Sequence, residues 1–301
     1  MGQLVKFWAA ISLMLFTFSG CDHVREPNTQ YRPVGIVKEN KNYIIGINAF
    51  VSSKEMFVAY RPILNYLERN IDGVKFDLAT SKDFVEYEKR VRQSEFHFAL
   101  SNPYQSVISF EHGYRPIAKM KNDTLFRGIL ISRKDAHIKR FEQLHGKVIA
   151  FSAPTALAGA IMPKYFLWEH GIDVRRDMVP YYVGSHFSAI LNTYTKDSLI
   201  TATWPPAWEK WKKENPTKAA EMEIVWETQP LLNNALSVRS DVDPVLAAKV
   251  ASLLISLNTI PEGRALLERA GLEGFEKADN KTFEPVRVFL RHYESAIGKI
   301  Q

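Results

Sequence analysis

Residues 147–170, KVIAFSAPTALAGAIMPKYFLWEH, carry the alternation on which the fold turns. The short apolar run 147–151 reads as a buried strand, and 158–170 places apolar side chains at helical spacing. Downstream the same rhythm continues: strand 179–183, helix 185–194, strand 199–203, then a helix through Trp208 and Trp211. Strands 224–227 and 235–238 follow, and the remainder is helical over 244–257, 261–270 and 283–296.

Upstream lies a first series of the same kind. Strand 43–47 leads to helix 54–70, in which Met56, Ala59, Ile63, Leu64 and Leu67 share one face. Strand 74–78, helix 82–93, strand 96–100, a helix from Pro103 towards Phe110, and strands 114–120 and 125–132 complete it. Strands alternating with helices predict α/β architecture with largely parallel sheets covered by helices. There is no fixed internal period. Extended stretches near 122–127 and 228–235 divide the chain into two lobes linked by a double crossover: 42–123 plus 235–301 in lobe 1, and 124–234 in lobe 2. A ligand would then sit where strand C-termini of both lobes face one cleft, and such lobes close by hinge motion.

The N-terminus has a different character. Lys6 gives a positive start, 7–18 is uncharged and largely apolar, and Ser19-Gly20 precedes Cys21, the chain's one cysteine. That is the pattern of a secretory leader spanning 1–20, too short for the roughly 20 apolar residues of a membrane-spanning helix. The ending Phe18-Ser19-Gly20-Cys21 resembles the lipobox of bacterial lipoproteins, with Phe18 where leucine is usual. The resemblance implies acylation of Cys21 and a membrane anchor, since several acyl chains on one residue hold durably. An ordinary cleaved leader with an incidental cysteine, or an uncleaved anchor, is the plainer alternative. Residues 21–41, rich in charge, Asn and Pro, read as a tether.

Composition limits the chemistry. Of 301 residues, 46% are hydrophobic and 24% charged, as in a folded globular protein. Removing Lys6 with the leader lowers the net charge from +6 to +5, spread along the chain with no basic face or module for nucleic acid. Once Cys21 is acylated no thiol remains for a disulfide, a metal or catalysis. His97, His112, His137, His145, His170 and His292 lack metal-ligand spacing, so no metal or cofactor is expected. The common catalytic motifs (Gly-x-Ser-x-Gly, a phosphate loop, His-Glu-x-x-His) are missing from the sequence.

Several ordered stretches resemble the periplasmic solute-binding proteins of the phosphate/phosphite/phosphonate type that serve ABC transporters. They are YRPILNYL at 60–67 with VKFDL at 74–78, ILISRKD at 129–135, FEQLHGKVIAF at 141–151, GAIMP at 159–163, VGSH at 183–186 and QPLLNN at 229–234. The resemblance covers about 43–293 and implies a two-lobed type II periplasmic binding protein fold, monomeric, with an interlobe cleft. It also implies a small-molecule ligand and a membrane permease as partner, on the periplasmic side of the inner membrane or at a Gram-positive cell surface.

In that family a hydroxyl cluster opening the helix after the Phe151 strand holds the anion, using free N–H groups and the helix dipole. Here the matching positions are Ala156, Leu157 and Ala158, with Thr155 the nearest hydroxyl. Phe84 and Phe126 stand where the family has tyrosines, Pro206 where it has a carboxylate, and Asn234 where it has an aspartate; His186 alone keeps the polar pattern. Leaving a dianion without those partners costs several kcal/mol, which predicts a less charged, more apolar ligand or loss of tight binding.

The expected ligand contacts are therefore Phe84, Asn102, Tyr104, Phe126, Thr155, Ala156, His186, Trp204 and Asn234. Asn102 and Tyr104 follow a strand end, although Tyr104 serves equally as core packing. Trp204 also follows a strand and offers a ring for stacking. Trp208 and Trp211, at i and i+3, read as packing, and Ser185 as a helix cap. Besides transport, the tether and lobes fit a ligand sensor feeding a membrane receptor or kinase, and an enzyme on the same scaffold is the third reading.

Overall fold

The computed structural model describes residues 40–48 and 52–300; the leader, Cys21 and the tether through residue 39 lie outside them. Strand pairing begins at Lys41, opposite Val74, so the last predicted tether residue is the first of a strand.

The first lobe takes β1 (Lys41–Ile47), α1 (Ser53–Asn70), β2 (Val74–Ala79), α2 (Phe84–Arg92), β3 (Phe98–Ser101), α3 (Pro103–Glu111) and β4 (Tyr114–Met120). After an excursion it regains β10 (Ala235–Arg239), α9 (Pro244–Ser256), α10 (Pro261–Ala270) and β11 (Phe275–Glu276), in sheet order β11-β4-β10-β3-β1-β2. The excursion is the second lobe: β5 (Ile129–Arg133), β6 (Val148–Phe151), α4 (Met162–Glu169), α5 (Val174–Asp177), β7 (Val179–Tyr182), α6 (His186–Tyr194), β8 (Ile200–Thr203), α7 (Pro205–Glu214), α8 (Pro216–Ala219) and β9 (Met222–Glu227). Its sheet order is β7-β6-β8-β5-β9.

Helix starts are written locally. Ser52 Oγ accepts from Glu55 N while Ser52 N donates to the Glu55 carboxylate, a reciprocal cap that opens α1. Asn102, Asp243 and Ser185 cap α3, α9 and α6 through their side chains. Proline stands in the first turn of α3, α7 and α9, where its missing N–H costs nothing.

The sheets are mixed rather than largely parallel. Among the described residues four strand pairs are parallel and five antiparallel. The double crossover is the reason for four of the five antiparallel pairs, those made by β5 and β10; β11 against β4 is the fifth. β4 ends and β10 begins at the crossing, so they must run in opposite senses; β9 ends and β5 begins there, with the same consequence. The βα units away from the crossing keep the parallel pairing that the sequence pattern predicts.

The two crossing segments, 121–128 and 228–234, are bonded to each other. Leu231 N donates to Phe126 O, Thr228 N to Gly128 O, and Gly128 N to Thr228 Oγ1. Asp123 Oδ1 accepts from both Lys119 Nζ (2.7 Å) and Asn233 N (2.9 Å), and Asn233 Nδ2 donates to Lys121 O (3.0 Å).

Each lobe has its own core, one around Leu67, Phe76 and Phe98, the other around Leu130, Ile149 and Phe151. Phe84, the first residue of α2, belongs by chain to the first lobe yet packs within the second core beside Phe151 and Ala156. The C-terminal helix α11 (Glu284–Ala296) joins a third cluster, in which Val286 and Tyr293 meet Tyr104 and Ile108 of one lobe and Ile161 and Met162 of the other.

Candidate functional site

The C-terminal ends of β1, β3, β6 and β8 and the two crossings converge on one small cavity between the lobes, of about 20 Å³. The strand ends deliver Asn48, Asn102 and Trp204, the crossings Phe126 and Asn234, and the helix starts Phe84 and His186. The remainder of the wall is the backbone-rich segment Ala156 to Gly159.

That segment is a π-helical turn, Leu157–Ile161, running into α4 without a side-chain cap. Its N–H groups from Leu157 to Ala160 find no acceptor among the described residues, as the start of any helix leaves orphan donors. π-Turns recur at functional sites because they widen the helix locally. Gly159 permits the close approach here: a Cβ on it would stand 2.5 Å from His186 Cε1 and 2.9 Å from Ser152 Oγ.

His186 is 4% exposed and opens α6, and its Nδ1 lies 3.0 Å from Thr203 Oγ1. Phe84 meets it edge-on at 6.1 Å, and Trp204 lies tilted against it at 6.2 Å. Burial lowers its pKa from 6.5 to about 4, so at neutral pH the ring is uncharged. No lining side chain carries a charge at pH 7. The polar atoms left over are neutral too: Asn48 Oδ1 and Asn234 Oδ1 in the wall, with the Ser152 and Thr155 hydroxyls beside it, are buried without partners.

Of the residues expected to meet a ligand, Phe84, Asn102, Phe126, Ala156, His186, Trp204 and Asn234 line this cavity. Asn102 is committed to holding the lobes together: its Oδ1 accepts from Gln105 N (3.0 Å), and its Nδ2 donates to Thr155 O (3.3 Å) across the cleft. Tyr104 and Thr155 stand outside the lining. Tyr104 packs with Ile108, Phe126 and Phe283 under α11, the core role weighed for it, and Thr155 contributes its carbonyl to Asn102. Pro206 lines an adjoining cavity rather than this one. Trp208 and Trp211 stack on each other at 5.5 Å in the core, as their spacing predicts.

Sequence reasoning missed Asn48 and did not commit to Gly159. The signal for Asn48 was available, since it follows a parallel strand as Asn102 does. Gly159 had none, because a π-turn leaves no periodic trace.

Residues 45–283 match the family model described as "ABC transporter, phosphonate, periplasmic substrate-binding protein". The chain belongs to that family. A phosphonates-binding periplasmic protein of Escherichia coli (strain K12) is 19% identical over 86% of this chain and 79% of its own length. The probable ABC transporter phosphite binding protein PhnD1 of Prochlorococcus marinus (strain MIT 9301) is 21% identical over 94% of this chain and 95% of its own. The solved structure of PhnD1 in complex with methylphosphonate superposes with a TM-score of 0.77, at 16% identity, over 84% of this chain and 98% of that one. A binding-protein component of an ABC phosphonate transporter from Pseudomonas aeruginosa also gives 0.77, at 15% identity, over 86% and 88%. The fold is that of the type II periplasmic binding proteins, and its place of work is outside the cytoplasm.

Proposed function

We propose that this substrate-binding protein receives a solute of lower charge than a phosphonate dianion and is held at the membrane by a lipid on Cys21, where it hands the solute to an ABC permease as a monomer. The observation that carries the ligand reading is the uncharged wall: Asn48, Asn234, neutral His186, three aromatic rings and the Ala156–Gly159 backbone. The free N–H groups of the π-turn would favour an anion, but the buried Asn48 and Asn234 carbonyl oxygens need donors, which a dianion does not have. The desolvation cost of several kcal/mol compares with the roughly 8 kcal/mol of a micromolar site. The relatives named for phosphonates and phosphite therefore lend this chain their transport role and not their ligand.

Native mass spectrometry of protein purified from its host tests the reading. An uncharged or singly charged adduct is expected, and a retained phosphonate or phosphate overturns it. For the anchor, Cys21→Ser is expected to move the protein from the membrane to the soluble fraction; membrane retention of that variant counts against acylation.

A further inference from the structure

A second cavity, of about 160 Å³, adjoins the cleft. Trp204 is the one residue that lines both, and the rest of the partition comes from the crossings: Leu125 faces one side and Phe126 the other, and Asn233 and Asn234 divide in the same way. Met120, Leu125, Pro206, Ala207 and Leu272 give the chamber an apolar wall. Its charged lining groups already have partners. Lys210 pairs with Glu55 at 2.7 Å and with Glu214, and Glu273 accepts from Asn122 Nδ2 at 2.7 Å. Lys121 donates to the Asn258 amide oxygen, in the orientation that satisfies that amide, at 2.7 Å. What the chamber offers a guest is its hydrocarbon.

The sizes point the same way. The cleft, near 20 Å³, has room for about one water. An apolar cavity of about 150 Å³ admits a benzene ring, whereas whole solute sites run from about 300 Å³ upward. The cleft is too small to hold a solute alone, and the chamber is the size of a ring rather than of a whole solute site. Outward, the chamber shares Leu125, Pro206 and Lys210 with a depression of about 850 Å³ between α1, α7 and α10, which connects it to solvent.

We propose that the chamber behind Trp204 is the subsite for an apolar end of the solute, with the Trp204 ring as the wall along which that end lies. The solute class is then a small amphipathic molecule: a hydrogen-bonding head at Asn48, Asn234 and the π-turn, and an alkyl or aryl tail about the size of a ring. The uncharged nature of the head rests on the preceding proposal; the tail subsite does not. A primary carboxamide models such a head, since its N–H groups suit the two asparagine oxygens and its carbonyl suits the Leu157–Ala160 N–H groups.

Two homologous series separate the claims: primary carboxamides from acetamide to hexanamide, and n-alkylphosphonates from methyl to hexyl, each titrated calorimetrically. Against the wild-type protein, affinity for the carboxamides is expected to rise about fourfold per added methylene until the chamber is full. Ala207→Phe and Ala270→Phe, each at a position lining the chamber, are expected to abolish that rise. Thermal melts of both variants report whether they remain folded. Affinity independent of tail length, a rise that survives both fillings, or no binding in either series overturns the subsite. A rise with the phosphonates alone, abolished by the fillings, upholds the subsite and overturns the uncharged head.

Discussion

At the scale of single residues, the site is defined by one titratable group made inert. His186 sits beneath the π-turn with a pKa near 4 because burial disfavours its charged form. Its unfolded value is 6.5, so between pH 6.5 and about 4 the unfolded chain binds the proton and the folded one does not. Stability therefore falls as pH drops through that window, by about 3 kcal/mol at about 1.4 kcal/mol per pH unit. His186→Gln removes this contribution. Chemical denaturation from about pH 7 down to about pH 4.5 is expected to show a flatter decline for the variant; equal slopes would mean that His186 is not held neutral by the fold. Asn48, Asn234, Ser152 and Thr155 extend the same neutrality, each leaving a polar atom buried and unanswered. Such atoms are uncommon in native interiors, and a cleft is a place where a ligand answers them.

At the scale of elements, the sequence was legible wherever a local rule operates. Ser185 reads as a cap and does open α6, and the helices expected from Pro103, Pro244 and Pro261 begin there; the Ser52/Glu55 box and the Asn102 and Asp243 caps emerge with the structure. Strand polarity was not legible, because the alternation of strand and helix is the same whether a strand leaves or re-enters its lobe; the crossing reverses β5 and β10. Two-residue β11 and four-residue α5 are too short to show a period. Phe84 illustrates both halves of the lesson. The sequence marked it for the cleft, but its insertion into the opposite lobe's core follows only from the closed arrangement. Burying such a ring contributes about 2–3 kcal/mol, so Phe84→Ala is expected to shift the closed/open ratio by roughly a hundredfold toward open, at about 1.4 kcal/mol per tenfold. Small-angle scattering is expected to show a larger radius of gyration for the variant. An unchanged value would assign the closure to other contacts, with the Glu55–Lys210 pair and the Asn102–Thr155 bond the next to test.

At the scale of the whole molecule, a transport scaffold shared with phosphonate-binding relatives encloses a wall that carries no formal charge. The architecture explains how this is possible. The two sheets, the bonded crossings and α11 bridging both lobes make up the scaffold, and the unpartnered polar atoms of the cavity wall take no part in it. Ligand chemistry can therefore change while the crossings and the fold persist, which is also why family membership here fixes role without fixing solute. Calorimetric titration of the purified protein with methylphosphonate tests the central claim most directly. No heat of binding at millimolar ligand is predicted, and saturable binding at micromolar concentration would contradict the uncharged-cleft account.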